Sequence, residues 1–285
     1  MMETTVDLLN KVVMITGSTD GLGKLAALRM ARRGATLILH GRDSRKGQSV
    51  ASEVKRVSGN ERVEYVNADL ASLDEVRDMA DALASTHHRL DILINNAGLG
   101  GGPRGNARRE ISRDGIEMRF QVNYLSHFLL THRLLPMLKA AVPSRIINVS
   151  SIGQHPIDFE DVMLVNGYDS FRAYRQSKLA QIMFTIDLAE ELKGSGVTVN
   201  ALHPATLMNT NMVHEFFGST MSTVEDGADA LEYVSTSPEI VEVTGAYYDQ
   251  KRKSKANPQV YDPEARRKLR ELSLALTGLN GGGPK

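Results

Sequence analysis

Cysteine is absent from this 285-residue sequence, which excludes disulfides, thiolate metal sites and cysteine nucleophiles. Net charge is absent as well, since Lys+Arg 34 and Asp+Glu 34 sum to +0 at pH 7. Bulk electrostatics therefore offers no basis for binding nucleic acid or an anionic membrane. No segment approaches the ~20 apolar residues of a membrane-spanning helix. The opening MMETTVDLLNKVVMITG is acidic with a short apolar run, the form of neither a signal peptide nor an anchor. No metal site is indicated. These absences, with a cysteine usage compatible with a reducing compartment, lead to the expectation of a soluble cytoplasmic protein. What remains is 41% hydrophobic and 24% charged, a composition suited to one large α/β domain.

The chain alternates strand and helix patterns. KVVMIT is a continuous apolar run of the kind found in a parallel strand buried on both faces. It enters GSTDGLGKLAALRMARRGA, where Gly17, Gly21 and Gly23 stand between strand and amphipathic helix. Glycines there permit a tight turn and bring backbone amides to a pyrophosphate at the positive helix end. The second strand, ATLILH, completes the βαβ unit of a dinucleotide fingerprint. An NAD enzyme places Asp or Glu near the end of that strand. Here Gly41 and Arg42 follow His40, and a cation suits a 2′-phosphate, which favours NADP. Asp43 is the counter-indication, since it either neutralises Arg42 or reaches the ribose.

SRKGQSVASEVKRVS (helix), RVEYVNADL (strand), DEVRDMADALAST (helix) and DILINNAG (strand) continue the alternation. Asp69, at the end of the third strand, either accepts from an adenine amino group or caps the helix that begins after Ser72. Asn95, Asn96, Ala97 and Gly98 form a polar turn small enough for cofactor approach. GLGGGPRGNARREISRDG is an irregular crossover beside a ligand site, its arginines either solvated or touching phosphate or substrate. IEMRFQVNYLSHFLLTHRLLPMLKAA reads as one long helix with Asn123 inside it, a position that needs a bonding partner if buried.

RIINVSS is the fifth strand, with Ser150 and Ser151 at its carboxyl end, where open parallel sheets bind ligands. An irregular insertion leads to AYRQSKLAQIMFTIDLAEEL. On that helix Tyr174 and Lys178 are i and i+4 and share a face, oriented by Leu179, Ile182, Met183 and Ile186 against the core. Bringing a tyrosine from a pKa of about 10 to about 7 takes roughly 4 kcal/mol, about what a unit charge ~4 Å away supplies at an effective dielectric of ~20. Lys178 is therefore expected to make Tyr174 a proton donor and acceptor near neutrality. The spacing alone also fits a packing tyrosine beside a solvated lysine.

VTVNALHP is a sixth strand, and residues 205–221 are either a core helix or an apolar substrate lid. TVEDGADALEYVST is a helix, GAYYDQ a short seventh strand, KRKSK a solvated loop and DPEARRKLRELSLAL a charged helix. The expected architecture is a single-domain doubly wound Rossmann fold over residues 1–285, with a seven-stranded parallel sheet and helices on both faces. The leader 1–10 and the tail 279–285 are expected to be flexible.

TGSTDGLG, NNAG, Asn123 in VNYLSHFLLT, VSS ending at Ser151, YRQSK and HPA resemble, in order and over nearly the whole chain, the classical short-chain dehydrogenase/reductase family. SRDGIEMRFQVN, SKLAQIMFTIDLAEEL and TGAYYDQ are similar to its retinol dehydrogenase-like branch. The resemblance implies a catalytic tetrad of Asn123, Ser151, Tyr174 and Lys178. Tyr174 would exchange a proton with the substrate oxygen, Ser151 would hydrogen-bond that oxygen, and Asn123 would hold a water in the proton relay. Lys178 would bind the nicotinamide ribose and depress the tyrosine. The implied cofactor shell is Gly17, Ser18, Gly21, Leu22, Gly23, Arg42, Asp69, Leu70, Asn96, Ala97, Gly98, Tyr174, Lys178, Pro204 and Thr210.

Ser151 and Tyr174 are 23 residues apart, further than is common in the family, and the retinol dehydrogenase-like branch carries such an insertion. Ala205 replaces the usual glycine after Pro204, and Thr210 lies one position later than the family's threonine. The membrane segment of many retinol dehydrogenases is not found in this sequence. The resulting expectation is an NADP-dependent oxidoreductase that interconverts an alcohol with a ketone or aldehyde on a fairly apolar small molecule. It has no nucleic-acid partner and, by analogy, forms homo-oligomers. The alternative is a nonenzymatic NADP-binding regulator that keeps the fold.

Overall fold

The computed structural model describes residues 7–102 and 108–279. Its centre is one sheet in the order β3-β2-β1-β4-β5-β6-β7-β8. The strands are β1 (Val12–Ile15), β2 (Thr36–Gly41), β3 (Val63–Asn67), β4 (Ile92–Asn95), β5 (Ser144–Val149), β6 (Val197–His203), β7 (Tyr247–Asp249) and β8 (Arg252–Ser254). The first seven are parallel, as expected. Strands β1 and β4 are fully apolar apart from Asn95, which fits their central positions with helices on both sides.

KRKSK departs from expectation. Arg252–Ser254 form an eighth strand, antiparallel to β7, through a two-residue turn with Gln250 at φ 54. Its three residues are exposed, so no apolar alternation announced it.

One face of the sheet carries α1 (Gly21–Arg32), α2 (Ser44–Ser58) and α8 (Val224–Thr236); the other carries α3 (Leu73–Thr86), α5 (Ser126–Lys139) and α6 (Ser170–Glu191), with α9 (Pro263–Thr277) packed on α6. Helix starts follow local chemistry. Asp43 caps α2 by accepting from Lys46 N, Ser72 caps α3, and Thr223 with Asp226 forms a capping box on α8.

The single long helix expected around Asn123 is instead a short α4 (Met118–Phe120), a π-helical turn at Gln121–Leu125, and then α5. Helix α7 (Asn211–Phe217) leaves Asn211, Met212, His214 and Glu215 exposed, which removes the core-helix reading of that segment.

The leader is also less free than expected. Leu8 is buried, and its N–H donates to Arg33 O at 2.9 Å. At the other end Leu279 packs against the core. Residues 1–6 and 280–285 lie outside the described residues. Among the described residues no helix is long and apolar enough to cross a membrane.

Leu93 in β4 is fully buried, so Leu93→Ala is expected to cost about 2–5 kcal/mol through lost burial and a residual cavity. Losing the α8 cap in Thr223→Ala is expected to cost only about 1 kcal/mol. Urea denaturation of the two variants, with m unchanged, checks the ranking.

Candidate active site

The strand order reverses between β1 and β4, which opens a crevice at their carboxyl ends. The glycine-rich turn lies at one side of it. Gly17 has φ 63, and a Cβ there would lie 2.7 Å from Ala97 Cα. A Cβ on Gly23 would lie 2.4 Å from Gly17 O and 2.6 Å from Asn96 Nδ2. These two positions therefore need glycine for close packing of the turn on the Asn96–Gly98 segment. Asn96 closes the junction by donating from Nδ2 to Thr16 O at 2.8 Å and to Gly17 O at 3.1 Å.

Three side chains outside the predicted set hold this junction. Thr16 Oγ1 accepts from Asn96 N (2.9 Å) and Ala97 N (3.0 Å), and lies 2.9 Å from His127 Nε2. His127 Nδ1 is 3.0 Å from Asn123 O, which can only accept. The ring is thus the neutral Nδ1–H tautomer, with Nε2 accepting from the threonine hydroxyl. Burial supports this by pushing His127 down to about 3. His40 plays a parallel part at the end of β2, where Nδ1 accepts from Gly17 N at 3.2 Å and Nε2 donates to Ala68 O at 3.1 Å. Burial lowers it to about 4. Neither histidine had a sequence signal, because each works through partners far away in the chain.

The four residues of the expected tetrad come together. The Asn123 amide accepts from Leu99 N at 2.7 Å and donates to Leu99 O at 3.0 Å and to Ser177 Oγ at 2.9 Å, which answers why a buried asparagine sits in a helix. Ser151 lies close enough to Tyr174 for its side chain to favour the phenolate. Ser151 Oγ also accepts from Gly153 N, and its carbonyl accepts from Gln154 Nε2 and Tyr247 OH. Lys178 Nζ lies 5.9 Å from the centre of the Tyr174 ring and donates to Val149 O at 2.8 Å. Ser150 Oγ donates to Lys178 O at 2.7 Å, so β5 grips this turn of α6 twice.

The electrostatics reverse one expectation. Burial raises the Tyr174 phenol above its ordinary value, and the Ser151 hydrogen bond and the Arg175 charge only partly oppose it. Lys178 is itself buried and lowered to about 7. Burial thus disfavours the charged form of both groups, and Lys178 does not offset it for the phenol.

The remaining cofactor-shell residues divide. Ser18 is spent on the backbone of His40, accepting from its N–H at 2.9 Å. Leu22 and Pro204 are buried wall residues. Leu70 O accepts from Ser126 Oγ and Gln121 Nε2 and so anchors the π turn. Asp69 is not the cap of α3, which is Ser72; its Oδ1 accepts from Ala71 N, and Arg113 lies 3.8 Å from Oδ2. Arg42 is exposed at the end of β2 and has no hydrogen bond or ion pair among the described residues. Asp43 does not neutralise it, because its carboxylate caps α2. Thr210 caps α7 and adjoins the glycine-rich turn, where a Cβ on Gly21 would come 3.2 Å from its methyl group.

Two arginines of the crossover loop hold protein, while Arg108 is exposed without a hydrogen bond or ion pair among the described residues. Arg109 Nε donates to Met163 O at 3.0 Å, and Arg113 pairs with Glu75. Arg104 lies outside the described residues. Buried Arg119 donates to Gly100 O and to Tyr168 OH, each at 2.8 Å, which ties the loop to the insertion before α6. A polar pocket of about 260 Å³ opens beside Ser151, between Ile152, Gln154, Tyr247, Asp249 and Lys255.

The donors fit an anionic dinucleotide: the positive end of α1 follows β1, Arg42, without a hydrogen bond or ion pair among the described residues, follows β2, and the Lys178 ammonium sits at the end of β5. The short chain dehydrogenase family profile matches residues 11–219. Retinol dehydrogenase 13 of Mus musculus is 40% identical over 94% of this chain and 84% of its own length. A crystal structure of an uncharacterised protein from Mycobacterium paratuberculosis superposes with a TM-score of 0.79 at 30% identity, covering 96% of each chain. A short chain dehydrogenase from Escherichia coli complexed with NADPH gives 0.70 at 28% identity, over 86% of this chain and 99% of its own. The chain belongs to the short-chain dehydrogenase family, in its retinol dehydrogenase-like branch, and is an oxidoreductase acting on CH–OH donors.

Proposed function

We propose that the protein interconverts an alcohol with a ketone or aldehyde on a fairly apolar small molecule, using NADP(H) in preference to NAD(H), with Tyr174 as general acid and base. The observation that carries this reading is the approach of Ser151, at the end of β5, to Tyr174, with Lys178 beside the tyrosine ring. In reduction, the Tyr174 hydroxyl donates its proton to the carbonyl oxygen while Ser151 Oγ hydrogen-bonds the same atom. Burial keeps the phenol protonated at neutrality, which is the donor form. As the proton leaves, Lys178 favours the resulting phenolate by its charge. A bound nicotinamide dinucleotide supplies or receives the hydride, and the protein contributes orientation and electrostatics.

Arg42 and the absence of a carboxylate at Gly41 support the NADP preference, with Arg42 reading the 2′-phosphate. Lys178 would hold the nicotinamide ribose beside Gly98. The apolar character of the substrate is supported by Ile152, Met212 and Met221, all exposed next to Ser151 in sequence or on the lid segment. The mouse relative's name points to an alcohol of that kind.

Tyr174→Phe is expected to lower turnover by about 10²–10⁴-fold, the scale of a lost general acid, with NADPH affinity by calorimetry nearly unchanged. Undiminished NADPH oxidation across a panel of aldehydes and ketones would sink the assignment. Arg42→Ala should weaken NADPH binding about ten- to a hundredfold, as loss of a charge-assisted contact does, and leave NADH binding alone; equal effects on both cofactors would refute the 2′-phosphate reading.

The pH dependence has a definite sign. A lysine lowered to about 7 is charged below that value and neutral above it. kcat/KM for NADPH, which reports the free enzyme, should therefore fall along an alkaline limb near 7. A limb near 10 would contradict it.

A further inference from the structure

An ammonium has three N–H donors and no acceptor. Lys178 gives one to Val149 O and a second to Gln181 Oε1 at 3.0 Å. Gln181 lies three residues further along α6 and is 1% exposed. The orientation of its amide is forced, because a lysine can only donate and the oxygen must face Nζ. The amide nitrogen is then buried with no hydrogen-bond partner. A buried donor left unpaired is rare enough to require a reason, and an aliphatic side chain would have avoided it.

The turn that carries Gln181 is fixed to the sheet. Asn148 Nδ2 donates to Thr185 Oγ1 at 2.8 Å, and Thr185 Oγ1 donates to Gln181 O at 2.8 Å. The surroundings of Lys178 contain no opposing charge. Tyr174, protonated, is on its own helix; His127, neutral, faces it from α5. Strand β5 offers the carbonyl of Val149, and the β4 turn offers Gly98, where a Cβ would lie 3.5 Å from Nζ. Among the described residues no carboxylate pairs with Lys178.

We propose that Gln181 is a positioning residue for Lys178: together with the Val149 carbonyl it anchors two N–H donors of the ammonium, leaves the third for the crevice, and withholds a neutralising charge. The inference rests on Lys178 being the working cation of the site, and it adds what aims that cation and keeps its charge available. A glutamate at this position would hold the ammonium as an ion pair. A leucine would free a second N–H and remove an acceptor that favours the charged form.

The test follows the lysine itself and needs no turnover. The full-length protein is labelled with ¹³C at lysine Cε, the Lys178 resonance is identified by its loss in Lys178→Arg, and its shift is followed against pH. The wild-type midpoint is expected near about 7. In Gln181→Glu it should rise by at least about one pH unit, and in Gln181→Leu fall by at least about half a unit, on the scale of neighbouring-charge and hydrogen-bond effects. Circular dichroism confirms folding. Midpoints that stay with the wild type in both folded variants overturn the proposal. Should Gln181→Leu not fold, the nearly isosteric Gln181→Glu decides alone, upward movement supporting it and an unmoved midpoint refuting it. Because the readout is independent of substrate, failure to reduce any carbonyl would count against the proposed function and leave this test standing.

Discussion

At the carboxyl edge of a parallel sheet the backbone runs out of strand partners, and any group buried there must find a side chain instead of water. That constraint organises this molecule. Thr16, His40 and Asn96 take up backbone groups where β1 and β4 end, while His127 and Ser150 tie the ends of β1 and β5 to the neighbouring helices. Because these side chains are neutral, and all but the half-buried Asn96 are buried, they fix positions without adding charge. The crevice inherits its field from a few cations: Lys178 within it, Arg42 at its rim and the end of α1.

Much of this was legible in the residue order. Apolar runs marked the seven parallel strands, and glycines at 17, 21 and 23 marked the first βα turn. Asn123 stood out as a helix-interior asparagine, Ser151 by its place at the end of the fifth strand, and Tyr174 with Lys178 by their helical spacing; the resemblance to the family is what joined the four into one set. The departures have physical causes. Strand β8 is exposed on every residue, so no alternation betrays it. The π turn at Gln121–Leu125 depends on anchorage of Gln121 and Ser126 to Leu70, some 50 positions earlier in the chain. The expected neutral-range tyrosine took the lysine as a full charge about 4 Å away and left burial out; burial acts on both groups, and it raises one and lowers the other.

The two irregular segments that flank the site are joined to each other. Arg119, buried beside Glu117, reaches both Gly100 O and Tyr168 OH, and Arg109 holds Met163 O. A charge so enclosed is costly unless its hydrogen bonds are met, so crossover loop and insertion are obliged to stay in register. Variation in one of these segments therefore constrains the other. Leu99 connects the crossover loop to Asn123, one member of the expected tetrad.

Strand β8 has a bearing beyond the fold. A parallel sheet that ended at β7 would present an unpaired edge of Tyr247, Tyr248 and Asp249, a template for another chain to continue. The hairpin instead closes that edge with three residues that include Arg252 and Lys253, too short and too well charged to recruit a neighbour. In a chain with no net charge, Arg252 and Lys253 set like charges on the outermost strand at this end of the sheet, where a second copy would have to bring its own against them.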